Sequence, residues 1–241
     1  MEFNLKAQSY DVHAVVQAAL AEWGSEWIKT LPPESRIMEL GAGTGVFTQH
    51  LIPWFTRIEA SDRAENMVLI GRRKFPVVHW SLQNAWALNA VSRWDCLCSS
   101  GLLQWASEVM PTLENWRCAL KSGGRVYANI FVKGTLNELY SLYPEAAPLQ
   151  FQAAEWWVNA FKTAGFTSVR YAVWKRRFFY PTPVAFFRSL HDTGAFAPRK
   201  TPFSVMKKVL EAYSRQFSAF GKCYATWNFM RIEAVKASAA R

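Results

Sequence analysis

Apolar positions along the chain follow two rhythms. Near the N-terminus Val12, Val15, Val16, Ala19, Leu20, Trp23, Trp27 and Ile28 recur at steps of three and four, the stripe of one amphipathic helix. Leu31-Pro32-Pro33 ends it, since proline has no amide hydrogen with which to continue a helix. Beyond this point short apolar runs alternate with helical periodicity. Strands are predicted at 36–40, 57–61, 77–80, 95–99 and 125–131, and helices at 46–51, 64–74, 112–121 and 152–164. Ser122-Gly123-Gly124 reads as a helix-to-strand turn and Gly165 as a helix stop. The remainder predicts a strand at 167–177, helices at 184–193 and 202–217, and a closing strand at 224–235. Strands alternating with helices imply an α/β fold, a doubly wound and largely parallel sheet with a helical insertion before its last strand. No repeat or low-complexity linker divides the chain, so 1–241 is expected to form one domain: a helical segment (1–33), a core (34–133) and the insertion (178–222).

Composition narrows this picture. A chain of 241 residues that is 51% hydrophobic can bury a sizeable core. No run of eighteen apolar residues occurs, and Met1-Glu2-Phe3-Asn4-Leu5-Lys6 is not a basic stretch followed by an apolar one, so a cytoplasmic protein with no membrane association is expected. Cys96, Cys98, Cys118 and Cys223 lack the spacing of a metal site, and the expectation is reduced thiols packed as small apolar side chains. Lys and Arg number 28 against 18 Asp and Glu, a formal charge of +10, which suits nucleic acid, an anionic membrane or an acidic protein. The excess concentrates between Arg170 and Lys222, where only Asp192 and Glu211 oppose eleven basic residues including Lys175, Arg176, Arg177, Arg188, Arg199 and Lys200.

The chemistry-bearing motif lies at the first strand end. Glu39-Leu40-Gly41-Ala42-Gly43-Thr44-Gly45 places an acid before a glycine turn that lets backbone approach a ligand closely. It lacks the Lys-Ser/Thr of a phosphate-binding loop and the glycine spacing of the dinucleotide fingerprint. Asp62, at the second strand end, is placed to accept hydrogen bonds from both ribose hydroxyls of a nucleoside, or simply to cap the following helix. Together these features resemble the E/D-x-G-x-G-x-G signature of class I S-adenosylmethionine-dependent methyltransferases. That resemblance implies a seven-stranded, mostly parallel, Rossmann-like sheet with an antiparallel last strand, and S-adenosyl-L-methionine as cofactor. It makes Glu39 a residue that orients the loop or receives the cofactor's ammonium group, and Met67 a cover for the adenine face.

Four further segments are similar to the malonyl-acyl carrier protein O-methyltransferases of biotin synthesis: the opening Phe3 to His13 with Ala7 and Tyr10, Ser99-Ser100-Gly101-Leu102-Leu103-Gln104-Trp105, Gly134-Thr135-Leu136-Asn137-Glu138-Leu139, and Phe187-Arg188 through Gly194-Ala195. The resemblance implies methylation of the free carboxylate of a malonyl thioester on an acyl carrier protein. Where that family carries an acid to read the adenine amino group, this chain has Gln83 and Asn84, either of which offers an amide oxygen. Ser99 is added to the cofactor set, and Tyr10, Gln104 and Trp105 to the substrate pocket.

A carboxylate is ionised at neutral pH, so attack on a sulfonium methyl needs no general base, and none is expected among the catalytic residues. A cation that positions the carboxylate is needed. Arg188 is the candidate, its planar fork matching two oxygens, against the alternative of a solvated surface arginine. Lys175, Arg176 and Arg177 are the candidate contact for an acidic carrier protein. A small carboxylic acid, as in trans-aconitate-type enzymes, and RNA remain alternative substrates. Nucleic acid amino groups are disfavoured by Ser99-Ser100-Gly101-Leu102 where an N/D-P-P-aromatic motif would stand, and a non-enzymatic binding module by the intact loop.

Overall fold

The computed structural model describes residues 2–146, 149–194 and 201–238; Ala195, Arg199 and Lys200 lie outside the described residues. The strands are β1 (Arg36–Leu40), β2 (Arg57–Asp62), β3 (His79–Leu82), β4 (Trp94–Ser100), β5 (Leu120–Phe131), β6 (Phe166–Tyr180), the two-residue β7 (Ser218–Ala219) and β8 (Lys222–Lys236). The helices are α1 (Glu2–Lys6), α2 (Tyr10–His13), α3 (Val15–Gly24), α4 (Thr48–Leu51), α5 (Glu65–Lys74), α6 (Val109–Ala119), α7 (Asn137–Leu142), α8 (Ala154–Thr163), α9 (Pro183–Asp192) and α10 (Phe203–Gln216). One sheet runs β3-β2-β1-β4-β5-β8-β6, with β7 paired to β8 outside that path. The first five strands are parallel, and β8 lies antiparallel between β5 and β6. Strand order reverses beside β1, which puts the crevice for a ligand at the carboxyl ends of β1, β2 and β4.

Alternation of side chains along each strand explains why the central strands read as continuous apolar runs. Ile37, Cys96 and Cys98 face a core shared with Ala21 of α3, Leu51 of α4 and Val68 of α5. Met38, Leu40 and Leu97 face the opposite core, with Trp116 of α6 and Trp157 and Phe161 of α8. A third cluster joins α3, α7, α9 and α10 to β8 through Leu20, Leu139, Phe186, Tyr213 and Phe229. It fastens the helical insertion to the sheet. The long edge strand β6 is tied in by Glu233, a buried carboxylate on β8 that accepts from Arg125 Nη1 at 2.8 Å, from the Tyr127 hydroxyl at 2.8 Å, and from Arg170.

Four expectations are corrected. The N-terminal stripe is broken into α2, α3 and a 3-10 turn at Ile28–Thr30, because the chain bends at Ala14 (φ −80°, ψ 33°), and Val12 and Val15 are exposed. Ser122 to Gly124 is no helix terminus: α6 already ends at Ala119, and these residues form an irregularity within β5, whose partners on β4 shift from Trp94↔Leu120 to Cys96↔Arg125. The short α7, following Gly134, was not foreseen. Leu136 adopts φ 58° immediately before it, and the buried Glu138 carboxylate accepts the backbone N–H of Thr226 at 3.0 Å and the Thr226 hydroxyl, anchoring this turn to β8. Cys96, Cys98 and Cys223 are buried as expected, whereas Cys118 is exposed.

Candidate active site

At the crevice, residues from five segments line a concave cleft, the usual form of a small-molecule site. Its floor is the glycine turn after β1. Gly41 (φ 66°) and Gly43 (φ 57°) line it in the left-handed region that favours glycine, and a Cβ on Gly41 would stand 2.6 Å from Leu102 Cδ1, which would have to move. Gly45 has a different task. It does not line the cleft, and at φ 93° it packs against the Phe75 ring where α5 ends.

Asp62 combines the two roles considered for it. Its Oδ1 accepts the Ala64 N–H at 2.8 Å, starting α5, and its Oδ2 accepts the Gly43 N–H at 2.9 Å, while the carboxylate lines the cleft. Burial raises its pKa and the two backbone donors oppose that rise. Glu39 turns away from the cleft. Its Oε2 accepts the Thr48 hydroxyl at 2.6 Å beneath the loop, and burial pushes its pKa up to about 8, so at neutral pH it is largely a neutral carboxylic acid. A neutral group that does not reach the cleft orients the loop and is poorly suited to receive an ammonium ion.

The far end of the cleft is formed by Met67, Gln83, Asn84 and Trp86. The two amides differ in what they have left to offer. Asn84 Oδ1 accepts the Trp86 N–H at 3.1 Å and so caps the 3-10 turn Ala85–Ala87, whereas Gln83 Oε1 is buried without a hydrogen-bond partner. Ser99 is buried in β4 and does not line the cleft; Ser100, Gly101 and Leu102, just beyond it, do. These were legible only as part of the segment ending in Gln104-Trp105.

An N-terminal cap covers the cleft. Ala7 packs with Ala64 and Met67, Asn4 Oδ1 accepts the Asn66 N–H at 2.9 Å, and Asp11 bonds both the Thr44 hydroxyl and Lys74 Nζ, the latter at 2.6 Å. Tyr10 is thereby held over the cleft, and burial followed by the Asp62 charge keeps its hydroxyl protonated by raising its pKa. Tyr10, Gly101 and Trp105 also line a second, adjoining cavity with Gln17, Gln104, Phe131, Leu136 and Trp227. Among the described residues lining that cavity there is no Lys, Arg, His, Asp, Glu or Cys. Gln104 Nε2 donates to the Gly101 carbonyl at 2.7 Å, leaving Oε1 buried and unpartnered.

The basic candidates lie elsewhere. Arg188 is exposed on α9 and lines neither cavity; it stands one turn before Asp192, whose carboxylate faces Lys6 at 3.7 Å and His13 at 3.6 Å. Lys175, Arg176 and Arg177 are all exposed on β6, but the strand's alternation splits them. Arg176 shares a face with Trp174 and Phe178, its guanidinium 5.0 Å from each ring, whereas Arg177 lies 4.4 Å from the Tyr224 ring on the other face.

The family model for a methyltransferase domain matches residues 12–171. The chain belongs to the S-adenosylmethionine-dependent methyltransferases. It is 28% identical to the malonyl-[acyl-carrier protein] O-methyltransferase of Paenibacillus sp. (strain JDR-2), over 97% of this chain and 96% of that one. It is 28% identical to the biotin biosynthesis bifunctional protein BioCD of Bordetella avium, over 94% of this chain and 50% of that one. Among solved structures it superposes on the YcgJ protein of Bacillus subtilis with a TM-score of 0.69 at 14% identity, covering 90% of this chain and 100% of that one. A Thermotoga maritima methyltransferase matches with a TM-score of 0.61 at 17% identity, covering 98% of each chain. The fold is thus that of the class I methyltransferases, and the methyltransferase uses S-adenosylmethionine. The cleft fits this cofactor: a carboxylate at a strand end for a ribose, a sulfur-bearing apolar wall, and a buried amide oxygen in want of a donor.

Proposed function

We propose that this methyltransferase esterifies the free carboxylate of a malonyl group held as a thioester on an acyl carrier protein. S-adenosylmethionine supplies the methyl group. The observation that carries this reading is the second cavity: it adjoins the cofactor cleft and is walled by aromatic and amide side chains with no general base among its described residues. A hydroxyl or amine acceptor would need its proton removed, whereas a carboxylate already presents a lone pair. Tyr10, protonated at the boundary of the two spaces, donates a hydrogen bond that positions the carboxylate without taking its charge. Gly41, Gly43 and Asp62 hold the cofactor, Met67 packs on the adenine, and the Gln83 oxygen accepts from the adenine amino group. The resemblance of its segment to the malonyl-acyl carrier protein methyltransferases assigns Arg188, exposed on α9, to the malonyl carboxylate. The malonyl-acyl carrier protein specificity of the Paenibacillus relative, matched over nearly the full length of both chains, supports the same substrate. Acyl carrier proteins are acidic, and the +10 charge of this chain suits such a partner.

Mass spectrometry of malonyl-acyl carrier protein after incubation with enzyme and S-adenosylmethionine tests the reading. The expected result is a gain of one methyl group that is absent with the acetyl carrier. Arg188→Ala should lower kcat/KM about 100-fold, a loss typical of breaking a charged contact, with cofactor affinity unchanged. Asp62→Ala should instead weaken the cofactor. Methylation of small dicarboxylic acids alone, or of RNA, would replace the proposed substrate.

A further inference from the structure

Three spaces of the molecule adjoin one another in a row. The cofactor cleft shares Tyr10, Gly101 and Trp105 with the aromatic cavity, and that cavity shares Gln17, Thr193 and Trp227 with a groove on its other side. The groove lies between the N-terminal helices α2–α3 and the pair β6–α9, with Val12, Val15, Phe178 and Leu190 among its walls. It reaches the surface beside Val12 and Val15, 76% and 61% exposed.

One buried polar atom on this path, Gln104 Oε1 in the cavity, makes no hydrogen bond, and where cavity and groove meet the Trp227 side chain, 4% exposed, bonds Tyr180 in the groove wall. An unsatisfied buried group is destabilising, so an acceptor left open along an apolar passage calls for a ligand that bears a donor. A cation neighbours two of the groove's lining residues, Phe178 and Trp227. Arg176 is the register partner of Trp227 across the antiparallel pair β6–β8, on the same sheet face, and its exposed guanidinium rests between the Trp174 and Phe178 rings.

We propose that the groove and cavity form one tunnel that admits the phosphopantetheine arm of the substrate, so that the carrier protein docks outside β6 and α2–α3 while the malonyl end reaches the cofactor. The proposal rests on the thioester substrate argued above. The arm is a thin chain whose amide N–H groups suit Gln104 Oε1 and whose phosphodiester suits Arg176. A free small acid would use neither the groove nor Arg176.

The test is calorimetric titration of the full-length enzyme, loaded with S-adenosylhomocysteine, with a malonyl-phosphopantetheine analogue whose thioester sulfur is replaced by NH. Val12→Trp, at an exposed position that should tolerate the larger side chain, is expected to weaken the analogue about tenfold with cofactor affinity unchanged. Arg176→Ala should weaken the phosphorylated analogue about fivefold and leave its dephosphorylated form within twofold. Should the wild type methylate malonyl-acyl carrier protein while neither substitution moves the analogue's Kd by as much as about twofold, the tunnel is overturned and the substrate reading stands. Absence of analogue binding to the wild type also overturns the tunnel, and if methyl transfer to the carrier is absent as well, the substrate reading falls with it.

Discussion

Gln83 and Asn84 are adjacent amides of nearly equal promise in the sequence, and their hydrogen bonds separate them. Asn84 Oδ1 is engaged by the Trp86 N–H, whereas Gln83 Oε1 is buried and free to accept. Gln83→Leu should therefore raise the Kd for S-adenosylmethionine about tenfold, the size of one hydrogen bond to a buried acceptor, and Asn84→Ala should change it far less. Equal effects in a calorimetric titration would return the adenine contact to both. Glu39 makes a prediction about pH. Its ordinary value of 4.5 is raised to about 8 by burial, so the folded chain holds a proton that the unfolded chain releases in between. Its contribution to stability is complete below the unfolded value and is lost as pH rises through 8. Melting temperatures of the cofactor-free protein from pH 5 to 9 should fall more steeply for wild type than for Glu39→Gln, which keeps a neutral acceptor for Thr48.

At the scale of elements, the N-terminal helices act as a fastened cap. Asp11 alone joins α2 to the glycine loop through Thr44 and to α5 through Lys74. The Lys74 link lies near the surface and the Thr44 link is part-buried, and each contributes about 1 kcal/mol. Asp11→Ala should then leave melting almost unchanged but raise the S-adenosylmethionine dissociation rate roughly fivefold in stopped-flow displacement, because about 1 kcal/mol is enough to loosen a cap and too little to unfold the sheet. A cofactor release rate that stays at the wild-type value would show that exchange proceeds with the cap closed. On the opposite side, the segment Gly134 to Leu139 owes its pattern to folding: a positive-φ glycine, Leu136 in the left-handed region, and Glu138 clipped to Thr226. Its contribution to the site is indirect, through Leu136 in the wall of the second cavity.

Over the whole molecule, the +10 charge is organised by the insertion and the strands around it. Reversal of Lys175, Arg176 and Arg177 to Glu should slow association with an acyl carrier protein about tenfold at low ionic strength, and the gap should close as salt shortens the screening length from about 10 Å at 0.1 M. Association unaffected by either charge or salt would remove steering from the account. The pleat of β6 adds a refinement: Arg176 lies on the sheet face of Phe178 and Trp227 and Arg177 on the other, by Tyr224, so their single reversals should differ.

The sequence by itself determined the alternation of strands and helices, the glycine turn, the acid at the second strand end and the insertion before β8. Each of these is a local pattern, set by side-chain period, by glycine's access to positive φ, or by the residues that stop helices. Only the tertiary structure decided that Glu39 lies under the loop and Asp62 in the cleft, that Gln83 is the amide left open, that Ser100 lines the cleft in place of Ser99, and that Arg188 lies outside both cavities. Those outcomes depend on which face of an element meets which neighbour, and on hydrogen bonds spanning long stretches of chain. The break of the N-terminal stripe at Ala14 belongs with them: α1 and α2 pack on α5 and the glycine loop, contacts absent from a linear pattern of valines. Trp227 is the plainest case, one more apolar residue in a closing strand until folding sets it between two cavities.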